Sequence, residues 1–139
     1  MPQINAENSQ ASPAAGNAYS VYEILGGKET FRRLAEAFYR RVEKDALLRP
    51  MYPRSMDRAV DHLALFLAQF FGGPREYSDA RGHPRLKMRH VRFHIGKAER
   101  DAWLTHMCAA MEELEIQEPV SSIMRQYFDQ ASTFLINAP

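Results

Sequence analysis

The chain has 139 residues, 45% of them hydrophobic and 25% charged, which fits one globular domain and excludes global disorder. Eighteen basic residues against 17 acidic ones leave a net charge of +1, too small for a protein that holds nucleic acid by neutralising its phosphates. The longest apolar runs, such as residues 63–67, are too short to cross a bilayer, so no stable membrane insertion is expected.

A single cysteine, Cys108, excludes an internal disulfide and any zinc site built on thiolates. Set among Trp103, Met107, Ala110 and Met111, it reads as a small buried hydrophobe. The N-terminus has neither the basic start nor the apolar stretch of a secretory signal, which leaves a cytoplasmic location as the default.

Residues 1–18 are small and polar with almost no large apolar side chain, and are expected to form a flexible tail outside a domain spanning 19–137. Ser20 and Glu23 have capping-box spacing, and Gly26-Gly27 stops the short helix they open. A second helix is predicted from near Glu29, with Phe31, Leu34, Ala35, Phe38 and Val42 on one face. Asp45 to Tyr52 reads as a short turn of helix ended by Pro50 and Pro53. Ser55 should cap a third helix whose buried face runs Ala59, Val60, Leu63, Ala64, Leu67, Phe70.

Gly72-Gly73-Pro74 ends that helix, and Arg75 to Pro84 reads as a loop. Pro84 is placed to open a short helix through His90. After Gly96 a long amphipathic helix carries Ala102, Trp103, Met107, Ala110, Met111 and Leu114. Pro119 starts the last helix, with Val120, Ile123, Met124, Tyr127, Phe128, Ala131 and Leu135 inward. No segment sustains two-residue alternation, so the fold class is all-α. Its core is rich in aromatic residues, which suits a fold around a flat apolar ligand and suits a plain helical bundle equally.

Of the five histidines, His62, His83, His90, His94 and His106, three fall between Gly82 and Gly96. His90 and His94 would share one face of a continuous helix and could hold a metal together. No carboxylate lies in that segment to complete such a site, and Gly96 argues for an early helix end. Alternatively His90 serves as a single axial ligand to haem iron, with Leu86, Met88 and Phe93 for apolar burial and Arg85, Lys87, Arg89 and Arg92 as cations for the propionates.

Five blocks in order carry a family resemblance: Phe38-Tyr39; Leu48-Arg49-Pro50-Met51-Tyr52-Pro53; Phe70-Phe71-Gly72-Gly73-Pro74; the run from Gly82 to His90; and Asp101-Ala102-Trp103-Leu104. On these the chain resembles a truncated haemoglobin of the second group, the O-type branch of the globin superfamily, from about Val21 to Leu135. The resemblance implies a two-over-two helical sandwich around haem b, with His90 as proximal iron ligand and Tyr39, Tyr52 and Trp103 as polar distal groups. It further implies that Ala59, Leu63, Phe66, Leu67, Tyr77, Leu86, Met88, Arg89, Phe93, Trp103 and Met107 touch the cofactor.

Ala59 and Leu63 are four apart on the distal helix, where this group often has polar residues, and His62 lies off their face. Ligand stabilisation then falls to Tyr39, Tyr52 and Trp103, although each is also explained as simple packing. Two or three donors on O₂ would slow its release by orders of magnitude and suit retention for reaction with nitric oxide at an iron able to become six-coordinate. The competing expectations are a peroxidase-like enzyme, an O₂ carrier or sensor, and a haem-free interaction module. Expected partners are O₂, NO, CO or peroxide, an external reductase for electrons, and a second copy of the chain in a homodimer.

Overall fold

In the computed structural model residues 19–139 are described, and the tail expected over 1–18 lies outside them. Among the described residues the chain forms seven α-helices and no strand: α1 (Val21–Ile24), α2 (Lys28–Val42), α3 (Asp57–Phe70), α4 (Glu76–Arg81), α5 (Leu86–His90), α6 (Lys97–Glu113) and α7 (Val120–Phe134), with a 3₁₀ turn at Arg49–Met51. The capping box that opens α1 is present, with the Glu23 amide donating to Ser20 Oγ at 3.2 Å and the Ser20 amide to Glu23 Oε1 at 3.1 Å.

Helix α2 packs on α3 and on α6, and α6 packs on α7. The inward face of α2 is Phe31, Leu34, Ala35, Phe38 and Val42, all fully buried. Phe71, Met107, Met111, Met124 and Phe128 close the core from the other helices. Phe70 stacks on Tyr127 with ring centres 4.0 Å apart, tying the end of α3 to α7.

Three expectations are corrected at element ends. Met56, not Ser55, is the N-cap of α3, and the Ser55 hydroxyl accepts from the Asp57 amide at 3.3 Å just ahead of the helix. The stretch read as a loop from Arg75 contains α4, which Gln69 docks to α3: its side chain donates to Ser78 Oγ at 2.7 Å and accepts from the Ser78 amide at 2.9 Å. Helix α5 starts at Leu86 rather than at Pro84, after Arg85 in the left-handed region at φ 45°. It ends at His90, so His94 does not share its face, and no cluster of three His, Cys, Asp or Glu able to hold a metal occurs among the described residues. Cys108 is half-buried rather than fully buried, and burial pushes its thiol pKa up.

Candidate functional site

Between α3, α5, α6 and α7 lies a cavity of about 340 Å³. His90 lines it from the last turn of α5. Its Nδ1 is 2.6 Å from the carbonyl oxygen of Leu86, a group that can only accept, so Nδ1 carries the proton and Nε2 keeps its lone pair. None of the other four histidines reaches the cavity wall.

Facing this imidazole environment are apolar side chains from several elements: Leu63, Phe66 and Leu67 of α3, Leu86, Phe93, and Phe128, Ala131 and Leu135 at the α7 side. Tyr39, Tyr52 and Trp103 also line it, brought to the same cavity from α2, the end of the 3₁₀ turn and α6. Tyr39 and Tyr52 meet edge to face with ring centres 5.5 Å apart, and Trp103 leans on Phe38 at 5.1 Å and on Phe128 at 5.8 Å. Burial holds the Tyr39 phenol well above its ordinary pKa, with Tyr52 adding through charge and through a hydrogen bond between the two hydroxyls. The Tyr52 pKa is pushed up to about 12 by burial, against which the Tyr39 hydrogen bond works. Both phenols are therefore protonated donors at neutral pH.

Tyr52 is held by two devices in a segment with little regular structure. Arg49 donates to the carbonyl oxygens of Tyr52, Pro53 and Arg54 at 3.1, 2.9 and 2.8 Å. Asp45 accepts from the amides of Leu47 and Leu48 at 2.8 and 3.4 Å and meets His106 Nε2 at 2.6 Å, which moors the turn to α6. The His106 hydrogen bond is the main reason the Asp45 carboxyl titrates below its ordinary range.

Five residues expected against the cofactor lie outside the cavity lining. Met88 is 59% exposed because the five-residue α5 turns it to solvent. Met107 is fully buried in the core between α6 and its neighbours. Tyr77 backs the wall instead, edge-on to Phe66 at 5.5 Å. The Arg89 guanidinium folds back onto the Pro84 and Arg81 carbonyls at 2.7 and 3.3 Å. Ala59 is half-buried, one turn before Leu63 and with too little side chain to reach the wall.

His62 is half-buried beside this wall, with Arg81 Nη1 2.8 Å from its Nε2. Burial, followed by the charges of Arg81, Arg58 and Arg89, lowers its pKa and keeps it neutral. Sequence reasoning placed Tyr127 in the core but missed that it lines the cavity, as do Ile95, Glu99 and Arg100. The spacing of Arg100 and Trp103, one turn apart on α6, was the available signal. Glu99 is occupied by the Gly96 amide at 2.9 Å, and Arg100 by Thr133 at 2.9 Å.

An imidazole with a free Nε2, apolar walls and buried phenols make a donor set that fits haem. The family model of the bacterial-like globins matches residues 20–136. The chain belongs to the bacterial-like globin family. It is 31% identical over 116 residues to the group 2 truncated haemoglobin YjbI of Bacillus subtilis, covering 84% of this chain and 87% of that one. Among solved structures, the haemoglobin of Chloroflexus aurantiacus is 51% identical with a TM-score of 0.83, over 85% of this chain and 98% of that one. The haemoglobin of Thermobifida fusca is 47% identical with a TM-score of 0.84, over 86% and 98%. This globin thus binds haem b and O₂, on an all-α truncated-globin fold. No helix among its described residues is long and apolar enough to cross a membrane.

Proposed function

We propose that this globin retains O₂ for reaction with nitric oxide or a related species, with His90 as the proximal ligand and Tyr39, Tyr52 and Trp103 as the distal donors. The observation that carries this reading is the pair of protonated phenols, of buried Tyr39 and half-buried Tyr52, sharing one cavity with His90 and Trp103. Haem, when bound, supplies the iron at which small ligands bind and electrons pass. His90 offers Nε2 because Leu86 fixes the proton on Nδ1. Leu63, Phe66, Leu67 and Phe128 exclude water, so a hydrogen bond donated inside the cavity is not weakened by competition. Arg58 and Arg81 lie near His62 beside the Phe66 wall and offer cations for the haem carboxylates.

Each hydrogen bond to an oxygen that bears charge contributes about 1.5–3 kcal/mol, or roughly ten- to a hundredfold in release rate. A relative of 30% identity from B. subtilis, described as oxygen-avid, supports slow release here. Converting nitric oxide and O₂ to nitrate consumes one electron, which an external reductase in a cytoplasmic setting would supply. Glu99 and Arg100 are engaged with Gly96 and Thr133, which counts against their handling peroxide protons.

Two variants test the reading. His90→Ala should abolish stable haem retention, and full retention would assign the ligand elsewhere. Trp103→Phe should speed O₂ dissociation of the reduced protein by about tenfold or more. An unchanged rate removes the indole from the donor set, and fast release already in the parent protein points to a carrier or sensor. Turnover with nitric oxide and a reductant, rather than with peroxide, separates the oxygenation reading from peroxidase chemistry.

A further inference from the structure

Helix α5 has five residues, too few to fix the orientation of the imidazole at its end by helical hydrogen bonding alone. The chain then runs without helix or strand from Val91 to Gly96. Asn137, just beyond α7, fills the gap. Its Nδ2 donates to the Phe93 carbonyl at 2.9 Å and to the His90 carbonyl at 3.3 Å, while its Oδ1 accepts from the Ile95 amide at 3.0 Å. The backbone amides of Asn137 and Ala138 both donate to the Ile95 carbonyl, at 2.8 and 3.1 Å.

One carboxamide thus uses both its ends on a segment more than forty residues away in the chain. Leu135, two residues earlier, lines the cavity, so the clasp also fixes the α7 wall relative to α5. We propose that Asn137 is a positioning residue for His90, setting the height and rotation of the imidazole through the carbonyls of His90 and Phe93. This inference rests on the reading of His90 as the iron ligand.

The test uses the haem-loaded chain, Asn137→Ala and Asn137→Asp. Aspartate keeps an acceptor for the Ile95 amide and loses both donated bonds. Three quantities are read: the iron–histidine stretching band of the reduced protein, the rate of haem transfer to an acceptor globin, and hydrogen exchange of the Ile95 amide. Both variants should shift the band and speed haem transfer by about three- to tenfold, as loss of one or two modest hydrogen bonds implies. Ile95 should stay protected in the aspartate variant and exchange faster in the alanine variant. An unmoved band and transfer rate in both variants, with faster Ile95 exchange in Asn137→Ala alone, would overturn the proposal and leave Asn137 as a clasp for the chain end. Absence of an iron–histidine band from the parent protein would overturn both readings, which distinguishes the two failures.

Discussion

Tyr39 and Tyr52 meet edge to face with ring centres 5.5 Å apart, their hydroxyls share a hydrogen bond, and both line the same cavity. A donor that is itself held by a hydrogen bond is better aimed and more polarised than a lone one. On the proposed distal role, removing either hydroxyl would disturb the partner as well as the ligand. Tyr39→Phe and Tyr52→Phe should each raise the O₂ dissociation rate, and the double variant should fall short of the product of the two effects by at least a factor of about two to three. Stopped-flow rates for the three variants would decide it, and multiplicative effects would mean the phenols act separately.

The same burial sets the alkaline limit of the fold. Tyr52 is raised to about 12 from an ordinary value near 10, and Tyr39 and Tyr127 are also raised, in each case chiefly by burial. Below pH 10 both folded and unfolded chains keep these protons, and the full stability is present. Above pH 10 the unfolded chain ionises first, so each buried tyrosine removes about 1.4 kcal/mol per pH unit until its folded pKa is passed. Denaturant unfolding between pH 9 and 12 should show a steep loss, and Tyr52→Phe should make it shallower by the slope of one group. Equal slopes would show that Tyr52 ionises freely in the folded chain.

Long amphipathic stretches made most of this fold legible. The stripe from Phe31 to Val42 and the run from Val120 to Leu135 give α2 and α7 directly, because their apolar spacing has one helical solution. Helix α4 escaped because its six residues bury only Tyr77 and its place depends on Gln69, a tertiary partner with no local pattern. The meeting of His90, Tyr39, Tyr52 and Trp103 in one cavity was readable only through the family resemblance, since no spacing rule joins four elements. Met88 and Met107 lie off the cavity lining because proximity in sequence to His90 and Trp103 does not fix which way a side chain faces. The clasp of Asn137 on His90 spans all of α6 and α7 and left no mark that a single sequence displays.

Arg49 bears on the placement of Tyr52 through backbone alone. Its guanidinium donates to three consecutive residues' carbonyls, 52 to 54, in a segment that otherwise holds one 3₁₀ turn. Arg49→Ala should cost about 2–3 kcal/mol of stability, less than three charged hydrogen bonds in sum because the side chain is 25% exposed and water replaces part of the loss. Arg49→Lys should recover little, since an ammonium lacks the fork that spans several acceptors. Chemical denaturation of both variants measures this, and a lysine variant as stable as the parent would show that charge rather than geometry matters.

Gly73 illustrates how a glycine can be required for space rather than for its dihedral angles. A Cβ there would come within 2.5 Å of a ring carbon of Tyr22 and 2.8 Å of the Ala68 carbonyl oxygen, while the Gly73 amide donates to that same carbonyl at 2.8 Å. The Tyr22 ring cannot swing away freely, because it stacks on Phe31 at 5.8 Å and Phe31 is fully buried. Gly73→Ala should therefore destabilise the fold by about 1–3 kcal/mol, the usual cost of overpacking, through the junction of α1 with the end of α3. Tyr22→Ala added to Gly73→Ala should destabilise less than the sum of the two single changes, since it removes one of the two clashes and leaves the carbonyl contact. Melting temperatures of the two single variants and the double variant test the mechanism. A strictly additive result would place the strain at the Ala68 carbonyl and acquit the ring.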